Sequence, residues 1–251
     1  MTRTMRRTIV VSLALVSLLV MTMPANAIID GSPDGNRHPN AGALMLDEQF
    51  AFCSGFLISP RYVATAGHCA DDAVLAELGL SLDDVSVTFD DQPDADSTYY
   101  PVAAWFQHPE YAFPYNDYGL VELARPVRGV PEADLPPVGA ADRFAKGQEF
   151  EVVGYGATDV HARTYTYPQT RNFVTLTLYP GSIPGGVEVL KVGAPKASGC
   201  FGDSGGPGYL PGDIRVVWGI SSAVTDPQCS GMSYGARTDT AAAASFYGDF
   251  D

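Results

Sequence analysis

An all-β fold in two halves, closed by one short helix, is predicted by three observations. Apolar runs of strand length, rich in Val, Ile, Tyr and Phe, recur along the 251 residues. Gly and Pro number 26 and 19, enough to punctuate those runs with turns. A proline-rich stretch over 125–137 has no periodicity and divides the runs into two sets. The 46% hydrophobic content supports a substantial core, and the chain has neither heptads nor internal repeats.

The first 27 residues read as an export leader. Arg3, Arg6 and Arg7 precede the apolar stretch 9–20, and Ala25-Asn26-Ala27 supplies a small-residue cleavage site. That stretch is short for a membrane span, so the expected product is secreted and extracellular, with no membrane attachment once the leader is gone. Strands are expected over 43–46, 52–58, 62–65, 85–89 and 120–123, then, beyond the proline-rich stretch, over 150–153, 173–178, 187–192 and 214–220. At the end, Thr238 or Thr240 can cap a helix that begins with the alanines of 241–244.

Leader removal takes three of the 15 basic residues and none of the 29 acidic ones, so the mature net charge is 12 − 29 = −17. Such a chain repels nucleic acid and anionic lipid. Acidic residues concentrate between Asp71 and Asp96 with no Lys or Arg among them. This stretch reads as a solvated acidic surface. A structural calcium ion is the alternative, but the spacing fits no EF-hand. Four cysteines in an exported chain read as two disulfides, for which three pairings exist. No Cys-x-x-Cys pair supports zinc, and no metal site is expected.

A serine hydroxyl is a weak nucleophile at neutral pH. It needs an imidazole base, a carboxylate to orient that base, and amide donors for the developing oxyanion. Ser204 lies in Gly202-Asp203-Ser204-Gly205-Gly206-Pro207, where glycines allow a sharp turn that brings the amides of Gly202 and Ser204 towards a substrate carbonyl. The same run satisfies the Gly-x-Ser-x-Gly of a nucleophile elbow, whose base follows the serine in sequence. All four histidines, His38, His68, His108 and His161, precede Ser204. That excludes the elbow and leaves the order His, Asp, Ser.

Residues 53–60, Cys-Ser-Gly-Phe-Leu-Ile-Ser-Pro, followed by Val63-Ala64-Thr65-Ala66-Gly67-His68-Cys69, resemble the first-barrel segment of the chymotrypsin/trypsin-like serine protease family, here a bacterial-type secreted member. Asn116-Asp117-Tyr118-Gly119-Leu120 resembles the segment carrying that family's orienting aspartate, and Gly154-Tyr155-Gly156 the motif opening its second barrel. The resemblance implies two antiparallel Greek-key β-barrels packed face to face, with the short helix at the C-terminus. Residues 28–130 would carry His68 as base and Asp117 as its orienter, and 131–251 would carry the nucleophile Ser204. It also implies the disulfides Cys53–Cys69 and Cys200–Cys229. Gly67 stands where alanine is usual and Tyr118-Gly119 where Ile-Ala is usual. His108 and His161 are assigned to surface or structural roles.

By the same resemblance, Ile28-Ile29-Asp30-Gly31 is similar to the activated N-terminus, whose amine pairs with the aspartate before the nucleophile, here Asp203. Leader cleavage after Ala27 would expose that amine directly, so secretion would itself be activation. Ser198 would form the base of the substrate pocket, with Gly199 beside it and Ser222 and Val224 along the wall. An uncharged Ser198 implies apolar rather than basic residues before the scissile bond. The expected enzyme is a monomeric serine endopeptidase acting on peptides or proteins without a cofactor.

Overall fold

The structure, a computed structural model, describes residues 28–161, 164–179, 189–248 and 250. The leader expected over 1–27 and the first two residues of the run 187–192 lie outside the described residues.

The first half forms β1 (Ser32–Pro33), β2 (Ala41–Leu46), β3 (Phe50–Ser59), β4 (Tyr62–Thr65), α1 (Asp72–Leu78), β5 (Val85–Thr88), β6 (Tyr99–Gln107) and β7 (Gly119–Leu123). The second forms β8 (Glu149–Gly154), β9 (Asp159–His161), β10 (Thr164–Thr166), β11 (Asn172–Leu178), β12 (Val189–Gly193), β13 (Pro207–Tyr209), β14 (Val217–Val224), β15 (Ser233–Arg237) and α2 (Ala241–Gly248).

Strands β2-β3-β4-β7-β6-β5 close into one antiparallel barrel, and β8-β11-β12-β15-β14-β13 close into a second, with β8 bonded to both β11 and β13. Counting strands from the first of each set, both rings read 1-2-3-6-5-4, so the two halves share one topology. Closure leaves neither ring with an open edge, and the two-stranded β9–β10 sheet stands outside them. Leu44, Phe56, Val63, Val87 and Leu120 fill the first barrel, and Phe150, Leu176, Leu190, Val192 and Trp218 the second, all buried.

The halves are tied together by more than the linker. β1 pairs with β11 of the second barrel. In return α2, capped by Thr240 Oγ1 accepting from Ala243 N at 3.0 Å, packs on the first barrel, where Tyr247 Oη donates to Gly119 O at 3.3 Å. The stretch 125–137 is pinned along its length, with Val127 N donating to Pro60 O and Ala133 N to Leu57 O, each at 2.7 Å.

Strands β1, β6, β9, β10, β13 and β15 and the helix α1 stand where no element was expected, and one expected run is shortened. The run 214–220 becomes a strand only from Val217, because Asp213 Oδ1 accepts from Arg215 N at 2.8 Å and holds the preceding residues in a turn. Within the acidic stretch, Asp71 caps α1 by accepting from Ala73 N at 2.9 Å, and Gly79 ends the helix at φ 71°. Only Leu75 of α1 is buried, so the acidic residues around it meet solvent.

Candidate active site

β4 ends at Thr65, and a tight turn over Gly67–Cys69 sets His68 at the mouth of the first barrel. Asp117 lies just before β7, fully buried, while the His68 side chain is 29% exposed. Asp117 Oδ1 accepts from the His68 backbone amide at 2.9 Å, and Oδ2 faces His68 Nδ1 at 2.9 Å. An ionised carboxylate only accepts, so this contact puts the proton on Nδ1 and leaves Nε2 with a lone pair. Ser222 Oγ, from β14, donates to the same Oδ2.

Ser204 sits in the loop before β13. Ser54 N, on β3, donates to Ser204 O at 2.7 Å, and Ser54 Oγ donates to Gly202 O at 2.9 Å, so the first barrel fixes the loop from outside. Gly202 and Gly205 take φ of 94° and 84°, where a side chain is strained, and a Cβ on Gly205 would collide with Thr65 Oγ1 and Ser54 O. Among the described residues, the amides of Gly202 and Ser204 have no protein acceptor. His68 and Ser204 line one cleft of about 420 Å³. No hydrogen bond joins their side chains among the described residues, a looseness common before substrate binds.

Asp203, between those two amide donors, is buried, and no salt bridge reaches it among the described residues. Its oxygens accept from Gly156 N and Cys200 N, both at 2.8 Å, yet burial pushes its carboxyl up to about 7. Ile28 is also fully buried, packed among residues of the second barrel, and the next residue bonds through Ile29 N to Ser198 O at 3.1 Å. Among the described residues, no hydrogen bond joins Ile28 to Asp203.

Both disulfides, Cys53–Cys69 and Cys200–Cys229, are formed. Cys53, Cys69 and His68 bring ligand-type atoms within 4.8 Å of one another, but the two sulfurs are bonded to each other.

The family model described as Trypsin matches residues 28–246. The chain belongs to the trypsin family. It is 28% identical to Trypsin II-P29 of Gallus gallus over 71% of this chain and 73% of that protein, and 31% identical to Kallikrein-8 of Mus musculus over 75% and 72%. A solved structure of neuropsin, a serine protease expressed in the limbic system of mouse brain, superposes with a TM-score of 0.70 at 22% identity, covering 89% of this chain and all of that one. At that identity the superposition speaks for the fold alone. The chain is thus a serine-type endopeptidase with the trypsin fold, and its two disulfides fit an oxidising compartment. Among the described residues, no helix is long and apolar enough to cross a membrane.

Of the expected pocket residues in this trypsin-family chain, Gly199, Ser222 and Val224 line the cleft. Ser198 does not. It is fully buried, and its hydroxyl donates to Gly199 O at 2.8 Å and meets Ser233 Oγ at 3.0 Å. Ser233, absent from the expected set, takes the place at the cleft and accepts from Gly199 N at 2.9 Å. Phe113 and Phe201 also line the cleft, and exposed rings in a turn-rich sequence gave no signal that they would meet there. The unusual Tyr118-Gly119 pair has a local cause. Tyr118 Oη donates to Arg237 O at 2.7 Å and bonds Thr240 Oγ1 at 2.9 Å, and a Cβ on Gly119 would lie 2.5 Å from Ala66 O. Tyr118 therefore anchors the Asp117 turn to the start of α2.

Proposed function

We propose that this enzyme cleaves peptide bonds through an acyl-enzyme formed on Ser204. His68 Nε2 takes the hydroxyl proton and returns it to the leaving amine, while Asp117 holds the ring in the required tautomer and stabilises its charged form. The amides of Gly202 and Ser204 receive the oxyanion. Residues 28–130 supply the base and its orienter, and 131–251 the nucleophile. No step calls for a metal or cofactor. The observation that carries this reading is the Asp117–His68 pair at 2.9 Å opening on the cleft that Ser204 lines, with the amides of Gly202 and Ser204 unengaged among the described residues.

The finer assignments extend the reading. The enzyme acts as an extracellular monomer on peptides or proteins, and its net charge keeps it from nucleic acid and anionic membranes. Leader removal frees the Ile28 amine, which pairs with Asp203. The pocket bounded by Gly199, Ser222, Val224 and Ser233, with Ser198 behind it, selects apolar residues before the scissile bond.

Labelling by a fluorophosphonate tests the core assignment. The leader-free enzyme should label and Ser204→Ala should not, with turnover lower by about 10⁶. Labelling that persists in Ser204→Ala would place the nucleophile elsewhere.

A further inference from the structure

Three residues at which this chain departs from its family, Gly67, Tyr118 and Gly119, lie in one contact set around the Asp117–His68 pair. A Cβ on Gly67 would lie 3.0 Å from Tyr118 O and 3.2 Å from Asp117 Oδ1, and one on Gly119 would lie 2.5 Å from Ala66 O. The turns that carry His68 and Asp117 are thus pressed together backbone to backbone, with no room for a side chain at 119 and little at 67.

The helix α2 holds them there. Tyr247, in its last turn, is buried, and its hydroxyl shares one proton between Gly119 O at 3.3 Å and Thr65 O at 3.5 Å. Thr65 and Gly119 are register partners that close the β4–β7 ladder. His68 follows the first by three residues, and Asp117 precedes the second by two. The hydroxyl therefore spans the strand pair at the point where both functional residues leave it. Burial foremost, then the nearness of Tyr118 and Asp117, holds the Tyr247 phenol well above its usual range, so it remains a donor at working pH.

Tyr118 completes the clamp from the other side. Its ring packs edge-on against Tyr247 with centroids 6.1 Å apart, and its hydroxyl donates to Arg237 O and bonds Thr240 Oγ1 at the start of α2. One phenol runs from the Asp117 turn to α2, and the other returns from α2 to both strands. The 2.9 Å contact between Asp117 Oδ2 and His68 Nδ1 depends on how those strands sit, and the clamp fixes it before substrate arrives.

We propose that Tyr247 and Tyr118 are positioning residues of the reaction, through which α2 sets the separation of Asp117 and His68. The inference rests on the assignment of His68, Asp117 and Ser204 above. Neither phenol lines the cleft, so its loss acts on turnover and not on substrate binding.

Tyr247→Phe and Tyr118→Phe each delete one oxygen and keep the ring. With leader-free enzyme and a peptide p-nitroanilide, each should lower kcat about fivefold, the scale of one lost hydrogen bond, and leave KM within about twofold of the wild type. The downfield proton resonance of His68 Nδ1–H reports the bond to Asp117 directly and should move upfield in both variants. Tyr209→Phe is the control. It removes a buried hydroxyl that donates to Asn40 Oδ1 at 3.0 Å, and it should lower the urea midpoint while kcat and the resonance stay as in the wild type. Wild-type kcat in both phenol variants, or a loss of kcat with the resonance unmoved, would overturn the clamp. No anilide turnover by the wild type would instead overturn the Ser204 assignment and the clamp with it. Should Tyr118→Phe not fold, Tyr247→Phe at the end of the ladder decides.

Discussion

Ser222 Oγ and His68 Nδ1 share one oxygen of Asp117, at 2.5 and 2.9 Å. The carboxylate is fully buried, so its direction is set by these donors and by the His68 amide rather than by water. Ser222→Ala removes one charge-assisted bond and lets the carboxylate rotate, which should lower kcat/KM by about tenfold or more. Asp117→Asn presents an amide to Nδ1 and favours the wrong tautomer, at a cost of about 10⁴ in kcat. Steady-state kinetics on a short amide check both. A Ser222→Ala enzyme with unchanged kcat would remove Ser222 from the orienting set.

Arg171 is the second relationship with a measurable consequence. Fully buried, it donates from Nε to Asp34 Oδ2 at 2.9 Å and from Nη1 to Ala41 O and Phe89 O, each at 2.9 Å. It thereby fastens the N-terminal segment, the first barrel and β11's approach to one point. Burial pushes the Asp34 carboxyl up, but bonds from His38 and the Arg171 charge outweigh it and hold the group below its usual range. Its stabilisation is thus present above the ordinary carboxylate range and is lost as pH falls through it. Arg171→Met should cost about 3–5 kcal/mol in urea unfolding, because it strips a buried carboxylate of its guanidinium partner and leaves it only the His38 bonds. Arg171→Lys should not restore this, since an ammonium cannot reproduce the guanidinium fork. Full stability in the lysine variant would contradict that account.

The pocket makes its own prediction. Val224 lines the cleft and the Ser198 hydroxyl is committed to Ser233 and Gly199 O, while the Asp226 carboxylate that also lines the cleft is engaged by Gln228 N and Ser230 Oγ, so no carboxylate stands at position 198 to pair with a basic side chain. Cleavage after Arg or Lys should be poor. Val224→Gly should raise the preference for Phe over Val before the scissile bond by about tenfold, the scale of a few methylenes in an apolar pocket. Competition between paired substrates gives the ratio directly. An unchanged ratio would place the selecting wall elsewhere.

What could be read from sequence divides along physical lines. His68, Asp117, Ser204 and the cysteines stood out because the chemistry demands those residue types inside recognisable flanks. β6 did not, since Pro101 and the paired alanines 103–104 break an apolar alternation that only barrel closure restores through pairing with Val87 and Val121 neighbours. Ser233 and Tyr118 were equally silent. A serine that meets another serine across 35 positions, or a phenol that reaches a carbonyl 119 positions away, is defined by tertiary approach alone. Ser198 was read as the pocket base because its place in the chain suggested it, whereas the direction of its hydroxyl depends on Ser233.

Asp203 carries the final prediction. Its folded carboxyl titrates near 7 while an unfolded aspartate titrates near 3.8. Between those values the folded chain keeps a proton that the unfolded chain has released, so stability falls as pH rises through the window and stays low above it. This holds for a chain whose Ile28 nitrogen is still an uncharged amide. In that form Asp203→Asn should leave stability near pH 4 unchanged and raise it at pH 8. If the freed Ile28 ammonium pairs with Asp203 as proposed, the wild-type pH dependence should flatten, and Asp203→Asn should become destabilising and inactive because the cation is then left buried and unpaired. Urea midpoints at pH 4 and 8, with and without an N-terminal extension, separate the two states. If the extension makes no difference to the effect of Asp203→Asn, the Ile28 amine is not its partner.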